Sequence, residues 1–262
     1  MTALKRLIVN ADDLGRTPGV NRGIAQAHGG GIVTSATLMV TQPAAGEAPA
    51  LARENPGLGI GLHVALTGGP PCLPPSQLSS LVGEDGRLPA GPQGLAAADA
   101  GQVLAEARAQ LRRFRELMGR SPTHLDSHHH SHAASPAVLE ALVTLAWETG
   151  LPLRSVSVEM RARFRRERIP TTDRFLDAFH GEGATLENLV RILSATEPGL
   201  SELMCHPAVV DEALTTGSRY SVERGRELSV LTHPEARQSL QAAGIRLIHY
   251  GQLSQLESGG IQ

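Results

Sequence analysis

Only two cysteines occur in the 262 residues, Cys72 and Cys205, so no framework of several disulfides holds this chain together. Neither belongs to a Cys-x-x-Cys metal knuckle, and sparse thiols fit a reducing, cytoplasmic setting. An excess of charge is missing too. The 24 Lys+Arg and 26 Asp+Glu leave a formal charge of -2, which gives no general pull towards phosphate backbones or anionic lipid. The densest basic stretch, 161–168, lacks the interleaved aromatics of a base-stacking surface and reads as solvated, so nucleic acid is not an expected partner. Long apolar runs are also absent. Leu7-Ile8-Val9 is too short for a signal-peptide core or a membrane span and leads straight into Asp12-Asp13. Neither a Gly-x-Gly-x-x-Gly dinucleotide fingerprint nor a phosphate loop ending in Gly-Lys-Ser/Thr occurs, which weakens nucleotide chemistry.

What the chain does have is a hydrophobic content of 41%, enough for a sizeable core in one domain. Apolar runs at 4–9, 32–40, 58–64, 123–126, 153–158, 201–205 and 245–250 are expected strands. Between them, helical patterns are expected from Thr17-Pro18 to the glycines at 29–31, then over 44–53, 97–118, 138–149, 186–193 and 233–243. Thr17 is the N-cap and Pro18 the first helical residue of the first of these. The alternation predicts an α/β fold with largely parallel strands, a distorted TIM-like (β/α) barrel over residues 1–254, with an open doubly wound sheet as the alternative. A Gly/Pro-rich insertion at 67–94 cannot be one helix and is expected to cover substrate; a short tail, 255–262, follows the domain.

Histidine is concentrated to an unusual degree: five of eleven fall in the nine residues from His124 to His132, within Thr-His-Leu-Asp-Ser-His-His-His-Ser-His. An expression tag would lie at a terminus, and a solvated loop is the plain alternative. Repeated imidazoles beside Asp126 point instead to metal binding or proton transfer. Asp12-Asp13, His63, His128 and His206 all fall at or just beyond expected strand ends, which share one rim in a parallel barrel. Taken singly, His63 and His206 are equally well read as hydrogen-bonded structural histidines, and the aspartates as turn residues. Together they suggest a site in which one carboxylate coordinates a cation and its neighbour takes a proton from metal-bound water.

Asn10-Ala11-Asp12-Asp13-Leu14-Gly15, Gly61-Leu62-His63, the 123–132 run and Met204-Cys205-His206-Pro207 resemble, in order, the motifs of the YdjC-like carbohydrate deacetylases, a group that contains chitooligosaccharide deacetylase. The resemblance spans 7–250, with Leu14 where the family often has Phe. It implies a distorted (β/α) barrel and a divalent metal on Asp13, His63 and His128. It further implies Asp12 as general base, His206 as general acid, and His124, Asp126, His130 and His132 as groups that support the ligands or touch substrate. The implied reaction is removal of N-acetyl groups from amino sugars or chitooligosaccharides. The resemblance leans towards Mg, with Zn, Mn, Co or Fe also compatible with nitrogen and oxygen donors, and towards a homodimer. Two rival functions share these residues: a non-haem Fe(II) oxygenase built on an Asp/His/His triad, and a non-catalytic carbohydrate-binding protein.

Overall fold

The computed structural model describes residues 4–253, so the tail expected at 255–262 lies outside the described residues. The order of elements is β1 (Lys5–Leu14), α1 (Pro18–Gly29), β2 (Ser35–Leu38), α2 (Ala48–Glu54), β3 (Gly59–Val64), α3 (Ala100–Met118), β4 (Leu125–Ser127), α4 (Ser131–Ala134), α5 (Pro136–Thr149), α6 (Val158–Arg166), β5 (Arg174–Leu176), α7 (Leu186–Ser194), β6 (Gly199–Cys205), α8 (Glu212–Gly217), α9 (Val222–Leu231), α10 (Pro234–Ala242) and β7 (Ile245–Leu247). Among these residues no helix is long and apolar enough to cross a membrane.

Every strand pairing is parallel, in the order β4-β3-β2-β1-β6-β5, with β7 added at the start of β1. A strand in that position is covered on both faces, and Leu7, Ile8 and Val9 are accordingly all fully buried. The regular sheet curls into part of a barrel, and irregular segments bridge its two edges. Leu125 N–H donates to Pro152 O (2.8 Å), Arg154 N–H to Leu125 O (3.0 Å), Leu153 N–H to Pro170 O (3.0 Å) and Asp173 N–H to Leu200 O (2.7 Å). Parallel strands alternating with helices around this ring make the fold the expected distorted (β/α) barrel.

Local signals set the elements where the sequence is explicit. Thr17 Oγ1 accepts from Val20 N–H (3.2 Å) to cap α1, and Asp99 caps α3, which ends at Gly119 in the left-handed region (φ 64°). Elsewhere tertiary pairing overrides local pattern. The strand expected over 153–158 reduces to one bridge, Leu153 to Leu125, because its side chains serve the interior and Ser157 caps α6 by accepting from Met160 N–H. The strand expected over 32–40 shortens to β2, and that over 245–250 to β7. β5, α8 and α9 form where no element was expected.

One close approach tests the packing of the rim. A Cβ on Gly23 of α1 would lie 2.3 Å from Ala208 Cα, in the segment just after His206. Backbone cannot yield as a flexible side chain can, so Gly23→Ala should destabilise the fold by about 1–3 kcal/mol. The measurement is urea unfolding, with a lower midpoint and an unchanged slope expected; an unchanged midpoint would contradict this packing.

Candidate metal centre and its cavity

Parallel strands place Asp12, Asp13, His63, His128 and His206 around one cavity of about 530 Å³, a size suited to a small ligand. Adjacent strand residues normally face opposite ways, yet Asp12 and Asp13 both turn inward. The pairing of β1 with β2 slips between Ala11 and Leu14, and Asp13 adopts φ 72°. This β-bulge with a left-handed aspartate presents two carboxylates on one side of one strand. A second local distortion follows β4, where His129 (φ 55°) and His130 (φ 48°) are successive left-handed residues. Ser131 Oγ donates to His128 O (2.5 Å) and fastens this turn.

Asp13, His63 and His128 each offer one ligand atom, all within 4.8 Å of one another and all buried. Asp13 Oδ1 lies 3.4 Å from His63 Nε2 and 3.0 Å from His128 Nδ1, but has no well-formed hydrogen bond. His63 Nδ1–H donates to Asp126 Oδ1 (2.6 Å), which fixes the ring and turns Nε2 towards Asp13, as carboxylate-supported metal histidines are held. An orphaned buried carboxylate oxygen facing two imidazoles fits a divalent cation. A second grouping, Asp12, His63 and Asp126, is less suited, because Arg154 already occupies Asp12 through both oxygens (2.6 and 2.7 Å).

The electrostatics support the same reading. Burial alone would lower the pKa of His63, but Asp126, Asp13 and Asp12 more than offset it and hold it near 10. The carboxylates that keep a proton there would equally hold a cation, which must displace that proton on binding. Burial opposes ionisation of Asp12, yet Arg154 holds its carboxyl well below the usual carboxylate range. For Asp13, His128 and Arg224 likewise overcome burial. His206 is different: burial, then Arg224, push its pKa down to about 3, so the ring is neutral at rest.

The expected supporting residues divide. Asp126 supports His63, and His130 lines the cavity with its ring edge-on to Phe175 (5.5 Å). His132 lies beneath the turn, its Nδ1 2.6 Å from Ser127 Oγ, and does not line the cavity. Nor does His124, which is fully buried, stacks on Tyr250 (3.7 Å) and rests against Gly61, where a Cβ would lie 2.4 Å from the ring. Of the roles expected for these two, support of the ligands or contact with substrate, the structure shows only that both are enclosed by packing and line no part of the cavity.

Several central residues gave no sequence signal. Arg154 is fully buried and ties β1, β4 and β6 together through Asp12, Asp126 (3.0 Å) and Glu202 (2.7 Å). Tyr250 donates to Glu202 from below. On α9, Arg224 bonds Asp13 Oδ2, and Glu227 accepts from both His206 N–H and Tyr220 O–H. An arginine inside the apolar 153–158 run was the one available hint, since an unpaired charge is not buried there.

A parallel barrel with an Asp–His–His donor set at the C-terminal ends of its strands, beside a second carboxylate, defines a barrel protein with a candidate divalent-metal centre. Comparison with known proteins narrows this class. The family model described as YdjC-like protein matches residues 6–242, and the chain belongs to that family. It is 41% identical over 250 residues to a carbohydrate deacetylase of Geobacillus stearothermophilus, covering 95% of this chain and 98% of that protein. A chitooligosaccharide deacetylase of Yersinia enterocolitica is 38% identical over 255 residues, covering 94% and 98%. A crystal structure from Enterococcus faecalis V583, described in terms of cellobiose-phosphate cleavage, has a TM-score of 0.90 at 35% identity and covers 96% of this chain and 99% of that one.

Two stability effects follow. Replacing Arg154 with Ala leaves three carboxylates facing one another in the interior and should cost about 3–5 kcal/mol in chemical unfolding. Burial raises the pKa of Glu227 from 4.5 to about 7, so the folded state holds a proton that the unfolded state has lost. Its contribution is intact below about pH 4.5 and fades as pH rises to about 7. Unfolding measured across that window should show wild type losing up to about 3 kcal/mol relative to Glu227→Gln. Parallel pH profiles would contradict the assignment.

Proposed function

We propose that the protein is a metal-dependent carbohydrate deacetylase that hydrolyses the N-acetyl group of amino sugars or chitooligosaccharides. The observation that carries this reading is the Asp13–His63–His128 donor set sharing one cavity with Asp12 and His206. The relatives named as deacetylases, matched over nearly their full length, support it.

A divalent cation on Asp13, His63 and His128, with Mg the first to test, supplies Lewis acidity towards the acyl carbonyl and lowers the pKa of bound water. The chain's own groups then have distinct tasks. Asp12 is kept ionised by Arg154 and further fixed by Asn10 Nδ2 (2.8 Å), so it is placed to accept the proton of the attacking water. His206, neutral at rest, takes up a proton from solvent through the open cavity as negative charge grows on the acyl oxygen and passes that proton to the departing amine nitrogen, while Asp12 returns to solvent the proton it took from water. An amine leaves poorly unless protonated, so the reaction needs a proton carrier separate from Asp12. Asp126 keeps the His63 ring in place throughout.

The test is acetate release from a panel of N-acetylated sugars, including N,N'-diacetylchitobiose, by metal-loaded wild type and Asp12→Asn. Wild type should release acetate and lose that activity on chelation. Asp12→Asn should keep its bound metal while turnover falls by about 10²–10⁴-fold. Wild-type turnover in the variant would overturn the role of Asp12.

A further inference from the structure

At the cavity wall Tyr220 and His180 lie ring on ring, 4.4 Å between centroids and 3° from parallel. Both line the cavity, and His180 is exposed. Tyr220 is held at its hydroxyl, which accepts from Gly181 N–H (2.8 Å) and donates to Glu227. Its ring also stands edge-on to His206 (5.8 Å) and within 5.6 Å of the Arg224 guanidinium carbon. His180 is thus the outer leaf of a stack whose inner leaf is fixed to the site. Its own edge contact with His206, at 5.5 Å, places it beside the reacting groups rather than at a distant rim.

Neither ring has a task in the hydrolysis described above, and a flat, exposed ring at a polar cavity needs an explanation. Tyr220 is one of only two tyrosines in the chain, and its ring is committed to this stack at the cavity wall. Burial together with Arg224 lowers the pKa of His180, so the exposed leaf is an uncharged ring. The flat π-face of an uncharged ring, pre-ordered by a partner, matches the C–H face of a pyranose, which loses little freedom on docking there. Asp177, three residues earlier and also at the cavity, supplies a carboxylate that can accept hydrogen bonds from sugar hydroxyls.

We propose that the His180–Tyr220 stack is the platform for a second sugar ring, next to the ring whose acetamide reacts, so that His180 selects oligosaccharides over single sugars. This rests on the deacetylase reading above for the reacting position, but the platform is a separate claim about binding. His180 is a specificity-determining residue, touching the neighbouring ring and taking no part in bond making.

The experiment is steady-state kinetics on N,N'-diacetylchitobiose with metal-loaded wild type, His180→Ala and His180→Phe. The KM of His180→Ala should rise about tenfold with kcat within about twofold, as expected for lost apolar contact that is equal in ground and transition states. His180→Phe keeps the flat face without the ring nitrogens and should retain the wild-type KM. An unchanged KM in His180→Ala, a loss that falls on kcat, or His180→Phe behaving like His180→Ala would each overturn the proposal. Should wild type release no acetate, the deacetylase reading fails instead. The same three proteins are then compared by calorimetric titration with the disaccharide, and equal affinities, or no binding by wild type, overturn the platform.

Discussion

A single guanidinium sits where the barrel would otherwise be filled by apolar side chains. Arg154 is completely buried, and Asp12, Asp126 and Glu202 reach it from three strands. Removing such a charge from water costs several kcal/mol, which only close, well-directed partners offset. The carboxylates have the same requirement, so each holds the others' partner in place. Arg154 enters from the irregular segment that bridges the edges of the sheet, and its backbone N–H is bonded to β4. Closure of the barrel and orientation of Asp12 are therefore two consequences of one interaction. Asp12 cannot drift towards the Asp13–His63–His128 cluster without abandoning a bidentate pair, so the two adjacent aspartates are held in different ways.

Two departures from regular backbone convert this interior into a site. The left-handed Asp13 turns its carboxylate to the same side as Asp12, and the left-handed pair His129–His130 turns His128 towards Asp13. Non-glycine residues in that region cost about 1–3 kcal/mol each and persist where surrounding contacts over-determine them. Here the contacts are charged and buried: Arg224 holds Asp13 Oδ2 while Oδ1 faces the imidazoles. The strain and the ion pairs thus depend on each other.

The parts of this arrangement that could be read in the sequence were those with a local signature. Strands end where apolar runs end, so the parallel fold alone brings Asp12, Asp13, His63, His128 and His206 to one rim. The cap at Thr17 and the breaks at the glycines were legible for the same reason. Arg154, Arg224 and Glu227 were not, because a charge on an apolar strand or on a helix discloses nothing about a partner 142 or 211 residues away. His124 shows the opposite case. It belongs to the histidine-rich run, but one residue before β4 its ring packs inward against Tyr250 and Gly61, and proximity in sequence did not bring it to the cavity. Composition identified the region; only the strand's facing distinguished its members.

The 67–94 insertion shows how a segment without regular strands can still present a fixed surface. Its prolines and glycines prevent a continuous helix, yet Leu78, Leu81 and Leu88 are buried in the main core. Glu106 of α3, itself fully buried, accepts from the N–H groups of Cys72 (2.7 Å) and Leu73 (2.9 Å), and Gln110 Nε2 donates to the same carboxylate (2.8 Å). Gln110 also pairs with both backbone groups of Ala65, two residues beyond His63. One helix therefore anchors the insertion and the end of β3 together, and Thr67 reaches His129 at 3.0 Å. Gly91 and Pro92 complete the cavity wall from this anchored segment. The insertion, expected to cover substrate, is a wall built into the core and not an unattached flap. The cavity is thus bounded by ordered segments, among them the insertion and the stacked rings of His180 and Tyr220. A ligand of this cavity meets preformed walls, against which a rigid ring loses little freedom on binding.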